Sequence, residues 1–197
     1  MPINCTDDTS PLSSDIKCAA EVLRRGGLIA YPTDTVWGIG CDASNTEAVE
    51  RVYRLKARSD AKALITLVAD EAMLEATVDD IPEAARQIVA VATSPVTIVY
   101  DRPHALAPNL RAADGSAAVR ITSESFSHGL CKALGRAIVS TSANISGRPT
   151  PQCFDEIDEH ILQGVDYVAQ AGRQGHCTKP SSVIKVDSHG RITIIRP

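Results

Sequence analysis

The chain has 197 residues, 44% of them hydrophobic and 22% charged, with a formal net charge of -4. That length and apolar content suffice for one compact core, and the acidic balance excludes a surface that is throughout an electrostatic bed for nucleic acid. No apolar run reaches the about 18 residues that a spanning helix needs, and the opening MPINCTDDTS lacks the basic and apolar parts of a signal peptide, so a cytoplasmic protein without membrane association is expected.

Ser13 or Ser14 is placed to cap a first helix, whose apolar positions Ile16, Ala19, Ala20 and Leu23 have helical spacing and which Gly26-Gly27 would stop. The run LIAY at 28–31 reads as a buried strand. Asn45 or Thr46 would cap a second helix carrying Val49, Val52, Tyr53 and Leu55, and ALITLV at 63–68 returns as a strand, giving a strand-helix-strand unit. Further helices are expected at about 70–76, 82–91, 124–134 and 155–162, and further strands at about 96–100, 117–121, 137–140 and 166–169. The final VIKVDSHGRITII reads as a hairpin turning at Ser188–Gly190. Because a hairpin is antiparallel, the expected fold is α/β: a single domain with a twisted mixed sheet flanked by helices. Residues 1–11 are expected to be an N-terminal extension and 12–197 the domain itself.

Six cysteines (Cys5, Cys18, Cys41, Cys131, Cys153, Cys177) are scattered without a CxxC pair or ligand-like spacing, which predicts reduced thiols. His104, His128, His160, His176 and His189 form no HExxH, so no protein-held metal is expected.

Three segments carry chemistry. PTDTVWGIG at 32–40 leaves a buried strand and packs hydroxyls, an acid and two glycines into a connection, where α/β proteins place ligands. On composition alone it reads more readily as a turn that satisfies its own backbone, with Trp37 a core or pocket-wall residue. Lys56, Arg58 and Lys62 stand at even positions, so an extended backbone would turn all three to one side, toward a triphosphate; a solvated cationic loop is the alternative. VSTSANISGRPTP at 139–151 ends an apolar strand in hydroxyls and an Asn, a donor set for phosphate or ribose oxygens or simply a set of caps. No GxxxxGK[ST] occurs, which excludes a P-loop.

In this order, PTDTVWGIGCDA, KARSDAKAL, VRIT, STSANISG and PSSVIKV resemble the YrdC-like threonylcarbamoyl-AMP synthase family over about residues 12–197. The resemblance implies an L-threonylcarbamoyladenylate synthase of YrdC-like fold. Such a nucleotidyltransferase makes threonylcarbamoyl-AMP and pyrophosphate from ATP, L-threonine and bicarbonate or carbon dioxide, for threonylcarbamoylation of tRNA adenosine. By the family's pattern Thr35, Arg120, Ser140 and Ser181 would hold threonine or its carbamate. Arg58, Lys62, Ser116, Ser142, Asn144, Thr150 and Arg196 would contact ATP, with Lys56 and Arg58 as the catalytic cations. Magnesium would arrive on the ATP phosphates, the product would pass to a tRNA threonylcarbamoyl transferase complex, and weak tRNA binding would accompany the hand-off. The sequence departs from the pattern at Ser59, at the SPVT segment 94–97, at Leu67 and at Pro180-Ser181-Ser182. The competing expectation is a non-catalytic RNA-binding, translation-associated module of the same fold, which would need a basic face with exposed aromatics; aromatic residues make up only 4% of this chain.

Overall fold

A computed structural model describes residues 10–57, 64–175 and 180–197. Ser10, rather than Ser13 or Ser14, caps α1 (Pro11–Arg24): its hydroxyl accepts from the Ser13 N–H at 3.3 Å. Pro11 takes the first helical position, where its missing N–H costs nothing. β1 (Ile29–Tyr31), β2 (Gly38–Gly40), α2 (Thr46–Leu55), β3 (Ile65–Val68), α3 (Glu71–Glu75), α4 (Glu83–Val91), β4 (Val96–Tyr100) and β5 (Ala117–Ile121) follow, then α5 (Ser125–Leu134), β6 (Ile138–Ser142), α6 (Glu159–Gly164), β7 (Tyr167–Val168), β8 (Ser182–Val186) and β9 (Ile192–Arg196).

Among the described residues nine strands form one mixed sheet in the order β7-β1-β2-β6-β3-β5-β4-β8-β9. β1/β7, β3/β5 and β4/β8 are parallel, and the other neighbours are antiparallel. The expected strand-helix-strand unit is therefore corrected. β2, not β1, feeds α2, and β6 lies between β2 and β3. Three successive antiparallel pairings make β1 run opposite to β3.

β2 was expected as part of a turn because glycine has little strand propensity. It is a strand because only glycine fits there. A Cβ on Gly40 would collide with the Val139 carbonyl oxygen and lie 2.7 Å from Tyr31 Cε1. The helix expected at 155–162 also divides: Asp158 accepts the His160 N–H at 2.9 Å and so caps α6, leaving a single 3-10 turn at Phe154–Glu156 before it.

Alternation along the strands sorts the faces. Ala118 and Arg120 of β5, Ser140 and Ser142 of β6 and Ile65 of β3 line an open cleft. Tyr100 and Ile121 instead meet Leu74 of α3 and Ala85 and Val89 of α4 on the opposite face. α5 covers β3 there, Cys131 Sγ lying 3.6 Å from the Leu67 carbonyl oxygen. α1 packs on α5 at Gly129, where a Cβ would lie 2.6 Å from Ile16 Cδ1. Burial raises the thiol pKa of Cys41 and brings that of Cys131 to about 12, and both are free thiols, as is Cys153. Cys18 is disulfide-bonded, against the expectation of reduced thiols throughout. Cys5, His176 and Cys177 lie outside the described residues. Among the described residues no helix is long and apolar enough to cross a membrane.

Candidate active site

The turn between β1 and β2 is tied by its own hydroxyls. Thr33 Oγ1 accepts the Thr35 N–H at 3.1 Å, donates to the Val36 carbonyl oxygen at 2.7 Å and lies 3.1 Å from Thr35 Oγ1. Both readings of this segment therefore hold together: the turn satisfies its backbone and still lines the cleft with Thr35. Trp37 is buried in the wall behind, its ring 5.0 Å from Phe154, over which the Arg173 guanidinium sits at 4.6 Å.

The cleft holds about 370 Å³ and gathers Thr35, Arg120, Ser140, Ser142, Thr150, Ser181 and Arg196 from six separate stretches of chain. Arg120 is 3% exposed. Its Nη2 lies 2.8 Å from Asp34 Oδ1 and 3.5 Å from Thr35 Oγ1. Burial pulls the Arg120 pKa down and Asp34 pulls it back up, while the nearby positive charge of Arg196 lowers it further. A guanidinium so placed stays charged and gains most from an arriving anion.

Arg196 reaches the same cleft through a β-bulge. Val186, Lys185 and Ile184 pair with Ile192, Thr193 and Ile194, but Val183 pairs with Arg196, leaving Ile195 as the extra residue. The shift puts Arg196 on the face of Val183, which also lines the cleft. Its guanidinium donates twice to the Ser181 carbonyl oxygen, at 3.0 Å from Nε and 2.8 Å from Nη2. Ser181 Oγ in turn lies 2.8 Å from Thr97 Oγ1, so the SPVT segment supports the site.

Other predicted residues stand elsewhere. Lys56 ends α2 with helical backbone (φ -82°, ψ -4°) and Ala57 follows at φ 47°, so Lys56 is not part of an extended run with its cationic neighbours. Its side chain is buried, and the ammonium donates to the carbonyl oxygens of Ser142 and Asn144, the latter at 2.6 Å. Asn144 Nδ2 donates to the carbonyl oxygens of Ile145 and Arg148. Lys56 and Asn144 thus clamp the loop after β6. Ser116 is turned to Asp114, donating from Oγ at 2.6 Å and from N at 3.0 Å, and it does not line the cleft. Arg58 and Lys62 lie outside the described residues. Sequence reasoning missed Asp34 and Thr97 as members of the site; their signal was position alone, between Thr33 and Thr35 and in the SPVT segment.

The arrangement defines an α/β protein with a sheet-face cleft whose lining suits anionic ligands: a deep guanidinium at one wall, a second guanidinium on the outer hairpin and hydroxyls between. A sequence model described as "Telomere recombination" matches residues 21–197, and the chain belongs to that Sua5/YciO/YrdC family. It is 37% identical over 169 residues to the threonylcarbamoyl-AMP synthase of Hahella chejuensis, covering 85% of this chain and 91% of the relative. Among solved structures, P. abyssi Sua5 complexed with L-threonine superposes with a TM-score of 0.81 at 28% identity, covering 92% of this chain. A doubly substituted P. abyssi Sua5 superposes at 0.84, also at 28% identity and covering 92% of this chain. This chain spans just over half the length of those two structures, 53% and 56% respectively.

Proposed function

We propose that the chain is a threonylcarbamoyl-AMP synthase, transferring the adenylyl group of ATP to the carbamate of L-threonine. The supporting observation is the convergence of Thr35, Arg120, Ser140, Ser142, Ser181 and Arg196 on one cleft. Arg120, with Thr35, Ser140 and Ser181 around it, suits the carboxylate and polar groups of threonine. Ser142, Thr150 and Arg196, together with Arg58 and Lys62, suit ATP, and Lys56 and Asn144 hold the loop that presents Ser142.

The reaction needs no protein nucleophile. Threonine nitrogen bonds to carbon dioxide, supplied as such or from bicarbonate, and gives up a proton to form the carbamate. A carbamate oxygen then attacks the α-phosphorus while the bond to the bridging oxygen breaks and pyrophosphate leaves with the electron pair. The protein's contribution is alignment of the two ligands and neutralisation of charge by fixed cations. Magnesium fits best as an ion brought by the ATP phosphates. Among the described residues no group of three His, Cys, Asp or Glu is arranged to hold one. A product destined for tRNA fits a cytoplasmic enzyme that hands over to a tRNA-modifying transferase complex, with at most weak tRNA binding of its own.

The test is pyrophosphate release by the purified protein. Release that requires ATP, threonine and bicarbonate together is expected, and release indifferent to threonine would sink the proposal.

A further inference from the structure

Two unsatisfied polar atoms lie beside each other at the wall of the cleft. Among the described residues neither Arg120 Nε nor Asp34 Oδ1 has a hydrogen-bond partner, although that oxygen is 2.8 Å from Arg120 Nη2. Nε and Nη2 form one edge of the planar guanidinium fork, an edge on which a carboxylate accepts two parallel bonds. Asp34 covers half of that edge with a close but misaligned contact and leaves the other half bare. Both groups are held away from water, Arg120 being 3% and the Asp34 side chain 9% exposed.

The two partners open onto different spaces. Arg120 lines the cleft, whereas Asp34 lines a second cavity of about 290 Å³ that also offers Thr93, Ser94 and Ser123. One ion pair thus stands between a ligand cleft and a hollow with hydroxyls able to receive a carboxylate.

We propose that Asp34 is a displaceable stand-in for the substrate carboxylate: it holds the Nη2 half of that edge of Arg120 in the empty protein, and a ligand carboxylate takes the whole Nε–Nη2 edge and sends the Asp34 side chain into the cavity behind. The inference rests on the reading that Arg120 receives the carboxylate of threonine. Its physical logic is that a buried guanidinium without a counter-charge is costly, so the empty site needs an internal anion. A ligand must then break that pair before it binds, and its apparent affinity falls by the same measure. Asp34 is a positioning residue that acts through Arg120.

The experiment is calorimetric titration of wild type and Asp34→Asn with L-threonine and with threoninamide, which lacks the carboxylate. Removing the internal competitor should tighten threonine binding about tenfold while leaving threoninamide unchanged, and empty Asp34→Asn should melt lower than wild type, with threonine closing the gap. Equal or weaker threonine binding by Asp34→Asn overturns the proposal, as does an equal change for both ligands, which would mean that Asp34 addresses the ammonium or only the fold. Where Asp34→Asn does not fold, a structure of wild type with threonine decides: separation of Asp34 from Arg120 supports the proposal, and an unbroken pair overturns it. Wild type that binds threonine with the pair intact removes this inference alone, whereas wild type that binds no threonine removes the synthase reading and this inference with it.

Discussion

The wall built on β2, β6, β3 and β5 and the wall built on β8 and β9 line the same cleft but are held differently. The first lies in the middle of the sheet with α5 packed behind β3, and its functional groups are fixed by close approach: Gly40 against Val139, Arg120 against Asp34. The second is the sheet's free edge. Every residue of β9 is exposed, including Ile192, Ile194 and Ile195, and Arg196 is steered by a bulge and two bonds to one carbonyl. The inner wall is held rigidly by buried contacts, while the outer wall, exposed and tied by few bonds, has more freedom to move.

Substitutions of decreasing severity break or sharpen this contrast. Arg120→Ala strikes the inner wall hardest: it strands the buried Asp34 carboxylate and should cost about 3–5 kcal/mol of stability, read by urea denaturation, with loss of threonine-dependent pyrophosphate release. Gly40→Ala tests close approach without touching charge. Overpacking against Val139 and Tyr31 should cost about 1–3 kcal/mol in the same denaturation assay, and an unchanged midpoint would show that the inner wall yields.

On the outer wall the expected effects move from stability to ligand binding. Arg196→Ala should lose about 1 kcal/mol with its bonds to Ser181, yet raise KM for ATP about tenfold in steady-state kinetics with kcat changed less. A melting loss as large as that of Arg120→Ala would erase the distinction between the walls. Ile194→Thr, at a side chain 68% exposed, should leave stability within about 0.5 kcal/mol by thermal melting, and a larger loss would show that β9 is more firmly packed than its exposure implies.

Much of the fold was legible from local chemistry. Helical spacing gave α1 and α2, with Asn45 accepting the Ala48 N–H at 3.0 Å as its residue type suggests, and Gly190 at φ 77° turns the last hairpin where it was expected. The site was legible in part. Thr35, Arg120, Ser140, Ser142, Thr150, Ser181 and Arg196 do come to one cleft, but Ser116 faces Asp114 and Lys56 clamps a loop. Spacing could not separate these cases, because which partner a hydroxyl or ammonium finds depends on what the fold brings beside it.

The sequence by itself determined most of the helices and strands and the residue types that a ligand site requires, since these follow from periodicity, capping and side-chain chemistry within a few residues of chain. Only the tertiary structure decided that Gly38–Gly40 is a strand inserted beside β6, that one extra residue in β9 points Arg196 into the cleft, and that Asp34 lies against Arg120. Each of those rests on contact between segments far apart in the chain, where steric fit and burial override local preference.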